Sequence, residues 1–210
     1  MPITKAFSRT IFSFLLLMNF SLFSGCASSG SSISVQRLAE NSTTDISGDW
    51  NDTDSRLVSK AMIEQVLAEA WLENFIHDNQ RKPVLIVGRI KNRSHEHINV
   101  QTFVKDIERA LINSGEVDFV ASTDERQQVR DERIDQALNA SEDTQKGPGQ
   151  ETGADFMVIG SIASIIDQDG GEKVKFYQIN LELINLENNR KVWIGEKKIK
   201  KSVSQSGVTF

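Results

Sequence analysis

The sequence predicts an α/β fold: one mixed sheet of four or five strands flanked by helices, in the order α-β-α-β-α-β-β-β. Three observations predict it. Between residues 54 and 139, helix-period segments alternate with short apolar runs, the pattern of βαβ crossovers between parallel strands. From Asp155 the period falls to two, and turn signals separate three segments, as in an antiparallel meander. The chain has 210 residues and 39% apolar content, enough for one core with additional segments around it.

The first helix is predicted from Asp54 to His77, capped by Asp52 or Asp54. Ile63, Leu67, Trp71 and Phe75 recur every fourth residue, and Val58, Met62, Val66 and Ala70 form the adjoining row, with charges on the back. Pro83 opens a strand over Val84–Lys91, whose run Val84-Leu85-Ile86-Val87 reads as buried on both faces. A polar loop over Asn92–Asn99 leads to a helix over Val100–Ser114, with Phe103, Val104, Ile107 and Leu111 on one face and Gly115 as its stop. A short strand over Val117–Ala121 follows. Ser122 and Glu125 then form a capping box for a charged surface helix reaching Asn139. Residues 141–153 read as a polar loop around Gly147-Pro148-Gly149. The meander comprises Phe156–Ile166, then Lys173–Leu186 with Tyr177, Ile179, Leu181 and Leu183 in phase, then Lys191–Ile199. Asp169-Gly170-Gly171 and Asn188-Asn189 supply its turns.

Ahead of this domain, Lys5 and Arg9 precede the apolar stretch Ile11–Phe23, and small residues follow, as in an export signal peptide over residues 1–25. The apolar run is too short for a comfortable membrane-spanning helix. Leu22-Phe23-Ser24-Gly25-Cys26 resembles a bacterial lipobox, in which the cysteine receives diacylglycerol and an N-linked acyl chain such as palmitate. Cys26 is the sole cysteine, so lipidation consumes the thiol and no intramolecular disulfide is possible. By resemblance to lipoprotein sorting rules, Ala27 after the cysteine points to the outer membrane, with the domain facing the periplasm. Residues 26–53 read as a mostly disordered tether, 54–201 as the globular domain and 202–210 as a polar tail.

Composition excludes several functions. The formal net charge is −5, and losing Lys5 and Arg9 makes it −7, which argues against nucleic acid as a partner. No nucleophile motif is present, and Gly147-Pro148-Gly149-Gln150 lacks the Lys-Ser/Thr of a phosphate loop. The carboxylates of residues 124–135 alternate with Arg126, Arg130 and Arg133, as on a solvated helix. His95-Glu96-His97 offers two imidazoles but too few ligands for a zinc site, and reads as a solvated loop. The expectation is a non-enzymatic protein without metal, cofactor or small-molecule substrate. Lys197, Lys198, Lys200 and Lys201 read as protection of an edge strand. Arg89, Arg93, Arg190 and Lys191 are chosen as partner contacts by exposure and residue type, and Trp50 as a partly exposed aromatic of the kind enriched at interface hot spots.

Lys91-Asn92-Arg93-Ser94 after the first strand, Gly153-Ala154-Asp155-Phe156 with Gly160, and Leu181-Glu182-Leu183 through Trp193-Ile194-Gly195-Glu196-Lys197 appear in an order that resembles the penicillin-binding protein activator family LpoB. The likeness covers roughly residues 83–200 plus the lipobox. It implies an outer-membrane lipoprotein that binds and activates a bifunctional class A penicillin-binding protein, a peptidoglycan synthase, and so regulates cell-wall synthesis and cell shape. The core is also similar to the curli-secretion lipoprotein CsgG and the N-terminal domain of TolB. The alternative implied is therefore a non-enzymatic accessory of an envelope assembly or secretion complex. The chain departs from the family in two places. The tether from Cys26 to Thr53 has 28 residues and no proline, and the hairpin tip reads Glu187-Asn188-Asn189-Arg190-Lys191 where the family often has Thr-Gly-Glu.

Overall fold

The computed structural model describes residues 34–147, 149 and 151–204. Cys26 and the leader therefore lie outside the described residues. Contacts divide the chain at Ala39; residues 34–39 carry no regular structure, and the second unit begins at Glu40. That unit contains α1 (Asp52–Leu67), α2 (Ala70–Asn79), β1 (Val84–Arg93), α3 (Val100–Ser114), β2 (Asp118–Phe119), α4 (Thr123–Asn139), β3 (Phe156–Asp169), β4 (Glu172–Asn185) and β5 (Lys191–Ser204). The predicted mixed sheet is present, with five strands in the order β2-β1-β3-β4-β5. β1 is parallel to both β2 and β3, while β3-β4 and β4-β5 are antiparallel.

The single helix expected over Asp54–His77 is two helices. Ala68 ends α1, and Glu69 lies extended at φ −89° and ψ 151°. The Trp71 indole N–H donates to the Val66 carbonyl at 2.6 Å, satisfying an acceptor that the broken helix leaves free. The break redirects α2, and both Trp71 and Phe75 meet Phe156 edge-on, with centroids 5.1 and 5.3 Å away. The cap of α1 is Asn51, one residue ahead of the candidates Asp52 and Asp54; Asp54 is the reciprocal partner in the capping box. Ser122 and Glu125 form the capping box expected of α4, and Gly115 ends α3 in the left-handed region at φ +70°. β5 runs to Ser204, past the expected end at Ile199 and into the expected tail, because the residues from Glu172 to Ile184 on β4 each have a partner on it.

One cluster forms the core. α1 supplies Val58, Met62, Ile63 and Val66, α2 Trp71 and Leu72, and α3 Phe103, Val104, Ile107 and Leu111. The strands supply Leu85, Val87, Ile90, Phe156, Val158, Ile162, Tyr177, Ile179, Leu181, Leu183 and Trp193. The strand residues alternate, so these three helices all cover the same side of the sheet. α4 has no buried residue among those described, as its thin apolar stripe predicted. The other side of the sheet, bearing Met157, Ile159, Ser161, Ala163 and Ile165 of β3, receives no helix side chain into that cluster.

Candidate functional site

Two charged regions stand on opposite sides of the sheet. On the helix-covered side, β4 places Lys175 in phase with Tyr177 and Ile179, so a lysine enters the buried row, with only 6% of its side chain exposed. Glu96, from the loop after β1, turns inward to meet it. Its Oε1 accepts from Lys175 Nζ at 2.8 Å and from the Tyr177 hydroxyl at 2.6 Å, and its Oε2 accepts from the Trp50 backbone N–H at 3.0 Å. Asp49 also pairs with Lys175. On β5, Lys201 Nζ donates to Asp54 at 2.5 Å, to Asp45 at 2.9 Å and to the Asp49 carbonyl at 3.1 Å. Among the described residues, no buried side-chain polar atom lacks a partner.

The electrostatics follow from this enclosure. Burial pushes the Tyr177 phenol well above its ordinary range, and the hydrogen-bonded Glu96 carboxylate pushes it further. Burial likewise pulls the Lys175 ammonium below the usual lysine value, aided by repulsion from Lys201, and the two carboxylates make a charge tolerable there. Burial opposes the charge on Lys201, yet Asp54 and Asp45 raise its pKa. These groups neutralise one another, which describes a clasp better than a reactive centre.

The clasp holds a strap. The Ser42 carbonyl accepts from the Thr53 hydroxyl at 3.4 Å, and the Gly48 carbonyl accepts from Tyr177 at 3.4 Å. Asp45 and Asp49 bind the two lysines. Gly48 has φ +66°, and a Cβ there would lie 2.2 Å from Val203 Cγ2, so only glycine lets the strap lie this close to β5. Residues 42–51, read from composition as part of the tether, are thus fastened to the domain. Trp50 packs edge-on against Phe103 at 6.2 Å and Tyr177 at 5.7 Å. Its half-buried ring docks on the domain and leaves part of its surface exposed, as expected of a partly exposed aromatic.

The opposite side of the sheet carries the second region. A one-residue irregularity between Val87 and Ile90 shifts β1 against β3, after which Lys91 pairs with Ser161 and Arg93 with Ala163. Arg89, Lys91 and Arg93 border one cleft of about 470 Å³, with Met157, Ile159 and Ser161 as its floor and Asn180 and Glu182 beyond. The structure therefore brings Arg89 and Arg93 together, as chosen from sequence, and adds Lys91 between them. Arg190 and Lys191 lie elsewhere, on a cleft of about 880 Å³ beside Phe75, Asp155 and Asn185 at the strand ends. Lys191 also pairs with Glu182, which borders the first cleft, at 2.8 Å.

Sequence reasoning missed Lys175 and Glu96. The signal for Lys175 was its phase with Tyr177, Ile179, Leu181 and Leu183; an internal acid to match it had no local signal. His95-Glu96-His97 resolves accordingly: Glu96 points inward, and the His95 ring Nδ1 lies 3.1 Å from Ser164 Oγ. Among the described residues no cluster of three or more histidine, cysteine or acidic side chains could hold a metal ion. The four C-terminal lysines separate too. Lys201 turns inward with 11% of its side chain exposed, while Lys198 and Lys200 are exposed.

The arrangement defines a small α/β domain in which three helices pack on one side of a mixed sheet and a cationic cleft lies on the other. The chain belongs to the peptidoglycan-synthase activator LpoB family, whose sequence model matches residues 54–199. That family is regulatory: it activates a peptidoglycan synthase. Solved structures similar to this chain include the LpoB C-terminal domain from Escherichia coli, at 19% identity over 72% of this chain and 99% of that one, with a TM-score of 0.41. The E. coli LpoB structure determined by NMR is 14% identical over 84% of this chain and 85% of that one, with a TM-score of 0.40. Lipoprotein GNA1162 from Neisseria meningitidis is 13% identical over 60% and 88%, with a TM-score of 0.38. No curated protein matches the chain.

Proposed function

We propose that this chain is an outer-membrane lipoprotein, anchored through Cys26, that binds a bifunctional class A penicillin-binding protein in the periplasm and raises its output. The observation that carries this reading is the family match over residues 54–199. The leader, the lipobox-like Leu22–Cys26 and Ala27 support the anchor. Activation requires the chain to bind the active synthase conformation more tightly than the resting one, since a ligand shifts an equilibrium only through differential affinity. The work of the domain is then docking, and its side chains need perform no chemistry.

The strap shortens the reach. With Ser42–Asn51 clasped, the stretch from Ala27 to Asn41 has 15 residues, about 50 Å even when fully extended. The partner must come within that distance plus the dimension of the domain.

The test adds the full lipidated chain to a detergent-solubilised class A synthase from the same bacterium and follows glycan polymerisation and peptide crosslinking. The expected result is a rise in both rates that saturates with the chain. Unchanged rates, together with envelope crosslinking that recovers only secretion components, would remove this reading in favour of an assembly accessory.

A further inference from the structure

We infer that the cleft bordered by Arg89, Lys91 and Arg93, on the side of the sheet opposite the core helices, is a docking surface for an acidic, apolar-flanked segment of a partner protein. The inference rests on the reading of the chain as a synthase-binding activator and names the surface and the partner chemistry within it.

Strand register maps this surface. Lys91, Ser161, Asn180 and Glu196 lie side by side across β1, β3, β4 and β5, and so do Arg93, Ala163, Gln178 and Lys198. Crossing the sheet from β1, a column of cations gives way to a trough of small and apolar residues on β3. Met157 and Ile159 floor the trough near Arg89, and Ile165 is 65% exposed at its far end. A side chain at Gly88 would strike Met157 Sδ at 2.7 Å, so the glycine keeps the cationic column and the apolar floor adjacent.

The cations have no internal use. Among the described residues, Arg89, Lys91 and Arg93 pair with no carboxylate and, unlike the unpaired Arg56, Lys173 and Lys200, stand together on one cleft. In a chain of net charge −5, three neighbouring cations repel one another, and no ion pair among the described residues offsets that cost.

Geometry selects the occupant. Residues two apart on a strand are about 6.6 Å apart, so the column spans about 13 Å. One phosphate cannot engage all three. Carboxylates one helical turn apart, about 5.4 Å, match the column, and apolar residues beside them would fill the trough. Complementarity of this kind sets partner choice and speeds association.

The test uses the full lipidated chain and the detergent-solubilised synthase, with affinity read by interferometry at low and high salt. The triple variant Arg89→Glu, Lys91→Glu, Arg93→Glu is expected to weaken binding about 100-fold. It should also flatten the salt dependence of binding, while Arg56→Glu with Lys60→Glu, at exposed positions of α1 away from this surface, changes affinity less than about threefold. Circular dichroism and melting confirm folding, and Gln at the same three positions serves if the Glu variant does not fold. A folded variant that binds within about threefold of wild type overturns the surface and leaves the activator reading standing. A wild-type chain that binds no class A synthase overturns the activator reading, and this partner with it. Unlipidated Cys26→Ser chain is also tested on phosphatidylglycerol vesicles. If the triple variant loses vesicle binding but keeps synthase binding, the surface is for membrane and the proposal fails. Unchanged synthase binding with increased aggregation would assign the cations to guarding β1, and equally ends it.

Discussion

Lys175 and Arg93 belong to the same sheet, and both sit at positions that the strand period alone would assign to one side or the other. They differ in what the chain brings to them. Lys175 meets Glu96 and Asp49 and is closed over by a strap, and its charge is spent on holding the fold. Arg93, with Arg89 and Lys91, meets no carboxylate among the described residues, and its charge remains available to another molecule. A cation on a sheet is structural where the same chain supplies its counter-charge, and is open to solvent or to another molecule where it does not. The contrast also separates two costs: removing an internal partner strands a buried charge, whereas removing an exposed cation returns a solvated side chain to water.

The largest expected effect comes from Glu96→Ala. It leaves Lys175, the Tyr177 hydroxyl and the Trp50 N–H without their shared acceptor, and should cost about 3 kcal/mol in urea unfolding. A loss under about 1 kcal/mol would show that the clasp is solvated and the contrast between the two sides overdrawn. Next, Gly48→Ala adds a Cβ against Val203 in a left-handed backbone, an effect of about 1–3 kcal/mol. Because the strap is peripheral to the apolar core, amide exchange should rise in residues 42–51 before the sheet is affected. Uniform exchange across the domain would mean that strap and sheet open as one unit.

A smaller effect belongs to Glu125, which Lys105, and then the Ser122 backbone N–H, depress from an ordinary 4.5 to about 2. A depressed carboxylate stabilises the fold above its unfolded value, and that stability is lost as pH falls from about 4.5 through about 2. With 43% of the side chain exposed, the contribution is under about 1 kcal/mol. Glu125→Gln should flatten that part of the acid limb in a pH series of thermal melts; an unchanged limb would show that the pair is screened. Smallest of all, Arg93→Ala should shift unfolding stability by less than about 0.5 kcal/mol. A larger loss would make Arg93 structural and erase the difference between the two sides.

Much of the fold was legible because its signals are local. The period-two meander, the capping box at Ser122 and Glu125, the stop at Gly115 and the buried run Val84–Val87 each follow from residues within one element. The break between α1 and α2 was not legible, since an apolar face at helical spacing continues through it. It depends on Trp71 reaching back to Val66 while packing edge-on against Phe156, which is 85 positions away.

For the candidate surface, residue type singled out Arg89 and Arg93, and the order of short strings along the chain gave the resemblance to the LpoB family whose model matches residues 54–199. Tertiary structure decided which charges are spent. Lys201 looked like its neighbours Lys198 and Lys200 until Asp45 and Asp54 closed on it, and the partners of the partly exposed Trp50, Phe103 and Tyr177, lie on remote elements. The physical reason is range. Propensity, periodicity and capping act over a few residues and are written into the order of the chain, whereas ion pairing and enclosure depend on distances that exist only once remote segments have been brought together.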